Sequence, residues 1–172
     1  MPLRITCLTL LAIVSTAFGA APVALVEDAP WSPDDAPRDG AAELGVLLKV
    51  AQLRKSHPVI GLVGVGDRRG IFQDGTQRGL EFAVRQGIPV VRLARGVRFC
   101  PPAQNDLFID GGALTPDAAV ELLGECLDRY GALPASESPH SPTPGQAREL
   151  REKMTLYQAA FTSHQPAVVA QR

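Results

Sequence analysis

The chain has 172 residues and a formal net charge of −1, with acids and bases interspersed along it. That balance offers no electrostatic attraction for nucleic acid or an anionic membrane surface. Removing a leader of some twenty residues leaves about 150, enough for one domain with a core of its own.

The leader is read from Met1-Pro-Leu-Arg4, a short basic start, followed by an apolar run to Phe18 and small residues at Ala17 and Gly19. This pattern predicts a cleavable signal peptide over residues 1–20, export to the periplasm or medium, and no membrane attachment after removal. An uncleaved anchor helix is the alternative. No later apolar stretch has the length of a spanning helix.

Residues 21–40 are rich in Pro, Asp and Ala without periodicity, which predicts an extended lead-in. Helical spacing starts at Ala41, with Leu44, Leu47, Leu48 and Ala51 on one stripe, and Pro58 should stop the helix by Ser56. The run PVIGLVGVG, 58–66, predicts a strand buried on both faces. After a glycine-containing loop, a helix over 77–86 presents Leu80, Ala83 and Val84, with Gly87 as its C-terminal glycine. IPVVRLAR, 88–95, completes a strand–helix–strand unit whose crossover should be right-handed.

Residues 96–106 form a loop, and 107–110 a short third strand. Gly111-Gly112 permits a tight turn into a helix over 116–130, with Thr115 as N-cap, Pro116 in the first position and Asp117 at the positive end of the dipole. Its inner face is Ala119, Leu122, Leu123, Cys126 and Tyr130, and Gly131 ends it. A Pro/Ser-rich linker, 131–145, should stay extended before a last helix over 146–161. The stripe Leu150, Met154, Tyr157 and Phe161 docks that helix on the domain, and 162–172 is expected to be a disordered tail. Together these elements predict a small α/β domain: a Rossmann-like, three-layer parallel sheet with helices on both faces.

The loop Gly64, Gly66, Asp67, Arg68, Arg69 follows a buried parallel strand, where such folds bind ligands. Glycines allow close backbone approach, free N–H groups hold anions, and the two arginines suit a carboxylate or phosphate. As a dinucleotide fingerprint it departs from the pattern, because the third glycine comes late and no helix opens at once. A solvent-exposed turn with two hydrated arginines accounts for the same residues. Arg92 and Arg95 close the next strand, either at the same rim or paired with Asp67 or Asp110. Asp74 and Asp110 sit beside glycine turns, where a carboxylate bonds backbone as readily as it acts as an acid or base. His57, His140 and His164 lack metal-ligand spacing, and no cofactor is called for. Two readings stay open for Cys100 and Cys126: a disulfide in an oxidising compartment, or a buried free thiol at Cys126. No motif supplies a nucleophile with its base.

Taken in order, VIGLVGVGD, GLEFAVRQGIPVVRLAR, FIDGGALTPDAAVELLGECL and LYQAAF resemble the C-terminal domain of bacterial-type L-asparaginases and glutaminase-asparaginases, over residues 41–161. The resemblance implies a missing N-terminal α/β domain that carries the threonine nucleophile and a Thr-Asp-Lys group. Neither motif occurs here, and DGT at 74–76 is a reversed fragment. Without them, amide hydrolysis lacks the family's covalent route. The family's C-terminal domain builds the oligomer and lends an asparagine from a G-x-G-N-G-N loop to a neighbouring site. Here that loop reads GVGDRRG, with Asp67 and Arg69 in the asparagine positions and Arg68 in place of the middle glycine.

The resemblance therefore implies an exported, non-catalytic assembly or binding module that self-associates or docks a separate asparaginase N-terminal-like chain. The alternatives are half of a split L-asparaginase, and a small-anion or nucleotide binder at Gly64–Arg69.

Overall fold

A computed structural model describes residues 22–28, 39–96, 107–136 and 143–165. Four parallel strands, β1 (Val23–Glu27), β2 (Gly61–Val65), β3 (Val90–Leu93) and β4 (Ile109–Asp110), lie in the order β1-β2-β3-β4. The register runs from Val23 opposite Gly61, through Leu62 opposite Val90, to Val91 opposite Ile109. The helices are α1 (Asp39–Ser56), α2 (Asp74–Arg85), α3 (Pro116–Tyr130) and α4 (Pro144–Ser163).

Two glycines of β2 show how the layers are arranged. A Cβ on Gly61 would lie 2.8 Å from Leu123 and 2.9 Å from Leu127 of α3. A Cβ on Gly64 would lie 2.7 Å from the Phe72 ring and 3.2 Å from Leu80 of α2. An odd number of steps separates the two positions, so they point to opposite faces. Hence α2, with α1 packed on it, covers one face, and α3 covers the other over β1, β2 and β3. The expected three-layer α/β arrangement holds, and β2 is buried along its whole length.

Four expectations are corrected. The lead-in contains a strand: VALVE alternates weakly, but β1 is held to β2 by a complete parallel ladder. Helix α1 turns a different face inward. Val46, Val50 and Leu53 are buried, whereas Leu44 and Leu48 are 53% and 60% exposed and Ala51 is exposed. Apolar residues surround this helix, so its own sequence permits either stripe. Its partners choose: Gly79 of α2 leaves a notch filled by Val46, Arg78 pairs with Glu43 at 3.0 Å, and Arg54 donates to the Gln86 carbonyl.

The third correction concerns the start of the linker. Leu133 is buried, its N–H donates to the Gly87 carbonyl at 2.9 Å, and that of Ser136 donates to the Arg85 carbonyl at 2.9 Å. Residues 137–142 lie outside the described residues. Fourth, the last helix continues into the expected tail, to Ser163, with His164 as its cap. Its start is a capping box, in which Thr143 and Gln146 satisfy each other's backbone N–H groups.

Helix α4 docks through Met154, Tyr157 and Phe161, the last two fully buried. It also dresses the edge strand. Gln158 accepts from the Asp110 N–H at 2.8 Å and donates to the Asp110 carbonyl at 3.3 Å. Seven residues on, Gln165 accepts from the Ala113 N–H at 2.7 Å and donates to the Gly111 carbonyl at 3.0 Å. Gln158 on α4 and Gln165 just past its cap thus occupy backbone groups of the edge strand and the turn after it that another chain could otherwise reach. Helix α3 starts as its sequence predicts, with Thr115 accepting from the Ala118 N–H and Pro116 following it.

Candidate functional site

Because every strand is parallel, Glu27, Val65, Leu93 and Asp110 bring their C-terminal ends to one rim. The strand order has no reversal, and it is such a reversal that opens a ligand crevice in doubly wound sheets. Among the described residues, the polar groups of the rim are taken up by the chain itself.

In the loop after β2, the Asp67 carboxylate accepts from the N–H groups of Arg69 at 2.7 Å and Ile71 at 2.8 Å. These are N–H groups of the kind that hold a bound anion in a backbone nest, and here an internal carboxylate occupies them. Gly70 and Arg95 donate backbone N–H groups to the Asp67 carbonyl, and Asp67 donates its own to the Ile71 carbonyl. Gly64 makes room for Phe72. A Cβ on Gly66 would meet the Gly70 carbonyl carbon and the Ile71 oxygen at 2.7 Å. Both glycines therefore serve the close approach of the chain to itself. The side chains of Arg68 and Arg69 face solvent.

Beside this loop, Asp28 at the end of β1 holds the start of α2. Its carboxylate accepts from the Gln73 N–H at 2.6 Å and from the Thr76 hydroxyl at 2.8 Å, and the Arg95 guanidinium donates to its carbonyl. Asp28 and Thr76 are both buried. A carboxylate at the N-terminus of a helix meets the positive end of the dipole and satisfies an orphan N–H. Although Thr76 and Asp28 form a hydroxyl–carboxylate pair, both carboxylate oxygens are engaged in capping and the hydroxyl is shielded from solvent. This is also why α2 begins at Asp74, earlier than the sequence predicts: its capping group comes from β1, 45 positions away from Gln73.

At the other end of the rim, Arg92 is buried and donates to the Asp110 carboxylate at 2.7 Å. The ion-pair alternative for Arg92 is the one realised. Asp74 stands exposed at the start of α2, while the Asp110 carboxylate is engaged by Arg92.

Cys126 is a free, buried thiol on the inner face of α3, and burial pushes it up to about 11, so it stays protonated. Cys100, its partner in the disulfide alternative, lies outside the described residues. Nearby, burial raises the Tyr157 phenol, which donates to the Gly131 carbonyl at 2.6 Å and so ties α4 to the end of α3. His57 is exposed after α1, His164 caps α4, and His140 lies outside the described residues. Among the described residues no cluster of His, Cys, Asp or Glu is arranged to hold a metal, and no helix is long and apolar enough to cross a membrane.

Asp28, Thr76, Gln158 and Gln165 are structural polar residues that sequence reasoning missed. For Asp28 there was a signal: VALV is an apolar run ending in Glu27-Asp28, as β2 ends in Gly66-Asp67. The glutamines gave none, since their role exists only once α4 lies along β4. No family model, curated protein or solved structure matches the chain.

Proposed function

We propose that the chain is an exported asparaginase C-terminal-like domain acting as a non-catalytic assembly module. The observation that carries this reading is a contrast in how surface groups are used. At the rim, where a ligand would sit, the polar groups of Asp28, Asp67, Arg92, Arg95 and Asp110 bond the chain's own backbone or one another. On α1, Leu44 and Leu48 face outward together with Ala41, Gly45 and Ala51. Described rim groups engaged in this way favour a scaffold, and a contiguous outward apolar stripe favours protein contact.

The test is sedimentation velocity of the purified chain over a range of concentrations, alongside ammonia release from L-asparagine. Reversible association with no ammonia release supports the proposal. Ammonia release by the lone chain overturns it. Release only after addition of a separate asparaginase N-terminal-like chain favours the split-enzyme alternative.

A further inference from the structure

We infer that Lys49 guards the β1 edge of the sheet: its amine caps the Leu25 carbonyl and keeps β1 from pairing with β1 of a second copy. This goes beyond the assembly reading, because it bars one route of association and leaves every other surface as it is. The Gly61 N–H donates to the Pro22 carbonyl at 3.1 Å, and the Asp28 N–H to the Val65 carbonyl at 3.0 Å. In a parallel ladder the N–H and C=O of one residue point to the same side, and the side alternates along the strand. Even-numbered residues of β1 therefore bond β2, and Val23, Leu25 and Glu27 turn their backbone groups to the outer edge. The Lys49 amine, reaching from α1, donates to the Leu25 carbonyl at 3.2 Å, at the middle of that edge.

The opposite edge is treated in a comparable way. Gly111 donates its N–H to the Arg92 carbonyl, so Asp110 faces outward from β4, and Gln158 bonds both of its backbone groups. Lys49 acts through charge as well as through its hydrogen bond. It is buried, and at pH 7 its amine is charged, since burial lowers it only to about 8. Among the described residues no ion pair includes it. With Leu25 opposite its own copy in an antiparallel pair, the two residues would exchange both N–H···O bonds. The two-fold axis would then stand perpendicular to the sheet, so both Lys49 amines would arrive from the same face beside the same two carbonyls. Two ammonium groups would be brought together and cut off from water, a juxtaposition that opposes the new ladder.

Apart from this charge, β1 is well suited to pairing with its copy. VALVE is five residues long and rich in valine, with one charged residue, at its end. A strand of this composition at a sheet edge is the kind that needs a guard.

The experiment uses the full chain at pH 7. Sedimentation velocity compares wild type with Lys49→Met, which removes the charge, and with Lys49→Arg, which keeps it. Lys49→Met should associate about 10-fold or more tightly than wild type, and Lys49→Arg should not. Adding Leu25→Pro to Lys49→Met should restore wild-type behaviour, because proline lacks the outward N–H and the β2 ladder uses no N–H at that position. Amide exchange gives a second readout. In dilute wild type the Leu25 N–H should exchange faster than those of Ala24 and Val26, and in Lys49→Met it should gain protection with concentration. No tighter association of Lys49→Met, or association that Leu25→Pro leaves in place, overturns the guard. A Leu25 N–H as protected in dilute wild type as that of Ala24 also overturns it, whether or not any variant folds. Failure here leaves the assembly reading standing, since that reading is tested on wild type alone.

Discussion

On one face of the sheet, α3 shares its work with α4, whose Tyr157 and Phe161 are fully buried and whose Gln158 and Gln165 bond the backbone around β4. On the other face, α1 and α2 bury Val46, Val50, Leu53, Leu80, Ala83 and Val84, and nothing in the described chain lies over α1. Both layers contain helices with apolar residues at three- and four-residue spacing. They differ in that α4 adds a further element beside α3, whereas α1 turns one of its two apolar stripes to solvent. A helix with apolar residues all round can bury two faces, and the described residues cover one of them.

The largest effect should come from the completed layer. Phe161→Ala empties a fully buried site shared by α4 and the sheet, and should lower unfolding stability by about 3–5 kcal/mol in urea titration. A cost below about 1 kcal/mol would mean that α4 is an accessory to the fold. Next, Asp28→Ala tests the long-range cap of the open layer. It strands the Gln73 N–H and the Thr76 hydroxyl and should cost about 2 kcal/mol, with faster amide exchange in the first turn of α2 as the local signature.

Lys49 gives a pH-dependent distinction between the layers. It is buried, donates to the Leu25 carbonyl at 3.2 Å, and is lowered by burial from its ordinary 10.5 to about 8. Above 10.5 the amine is neutral whether the chain is folded or not. As pH falls from 10.5 towards 8, the unfolded chain takes the proton and the folded chain does not, so Lys49's contribution to stability is lost across that window. Cys126 and Tyr157, both raised by burial, act in the opposite sense, losing stability as pH rises. Lys49→Met should remove only the Lys49 contribution, so thermal melts of the variant should lose stability more steeply as pH rises from 8 to 10.5 than wild type does. An identical pH dependence would place Lys49's proton outside the linkage.

The smallest effect belongs to the outward stripe. Leu44→Ser, measured at a concentration where the chain is monomeric, should shift stability by no more than about 0.5 kcal/mol. A loss of 2 kcal/mol would erase the contrast between the layers.

Local chemistry made much of the fold legible. PVIGLVGVG and IPVVRLAR are continuous apolar runs and became β2 and β3. Thr115-Pro116-Asp117 carries its own capping group, donor-free first position and dipole partner, so the start of α3 matched residue for residue. The candidate loop was legible as a glycine turn. Its two uses, anion nest or self-stitched turn, depend on whether the Asp67 carboxylate folds back to Arg69 and Ile71. Sequence spacing permits that contact but does not require it.

By itself, then, the sequence determined where helices and strands could exist, because periodicity, capping residues and glycine stops act within a few positions. Tertiary structure decided what depends on distant partners. It made a strand of VALVE by pairing it with β2, and started α2 at Asp74 with a carboxylate from β1. It also turned α1 so that Val46 enters the notch at Gly79 and Leu44 and Leu48 face outward. Each of these choices is made by a contact between elements, and its energy exists only after the chain has closed the loop that joins them.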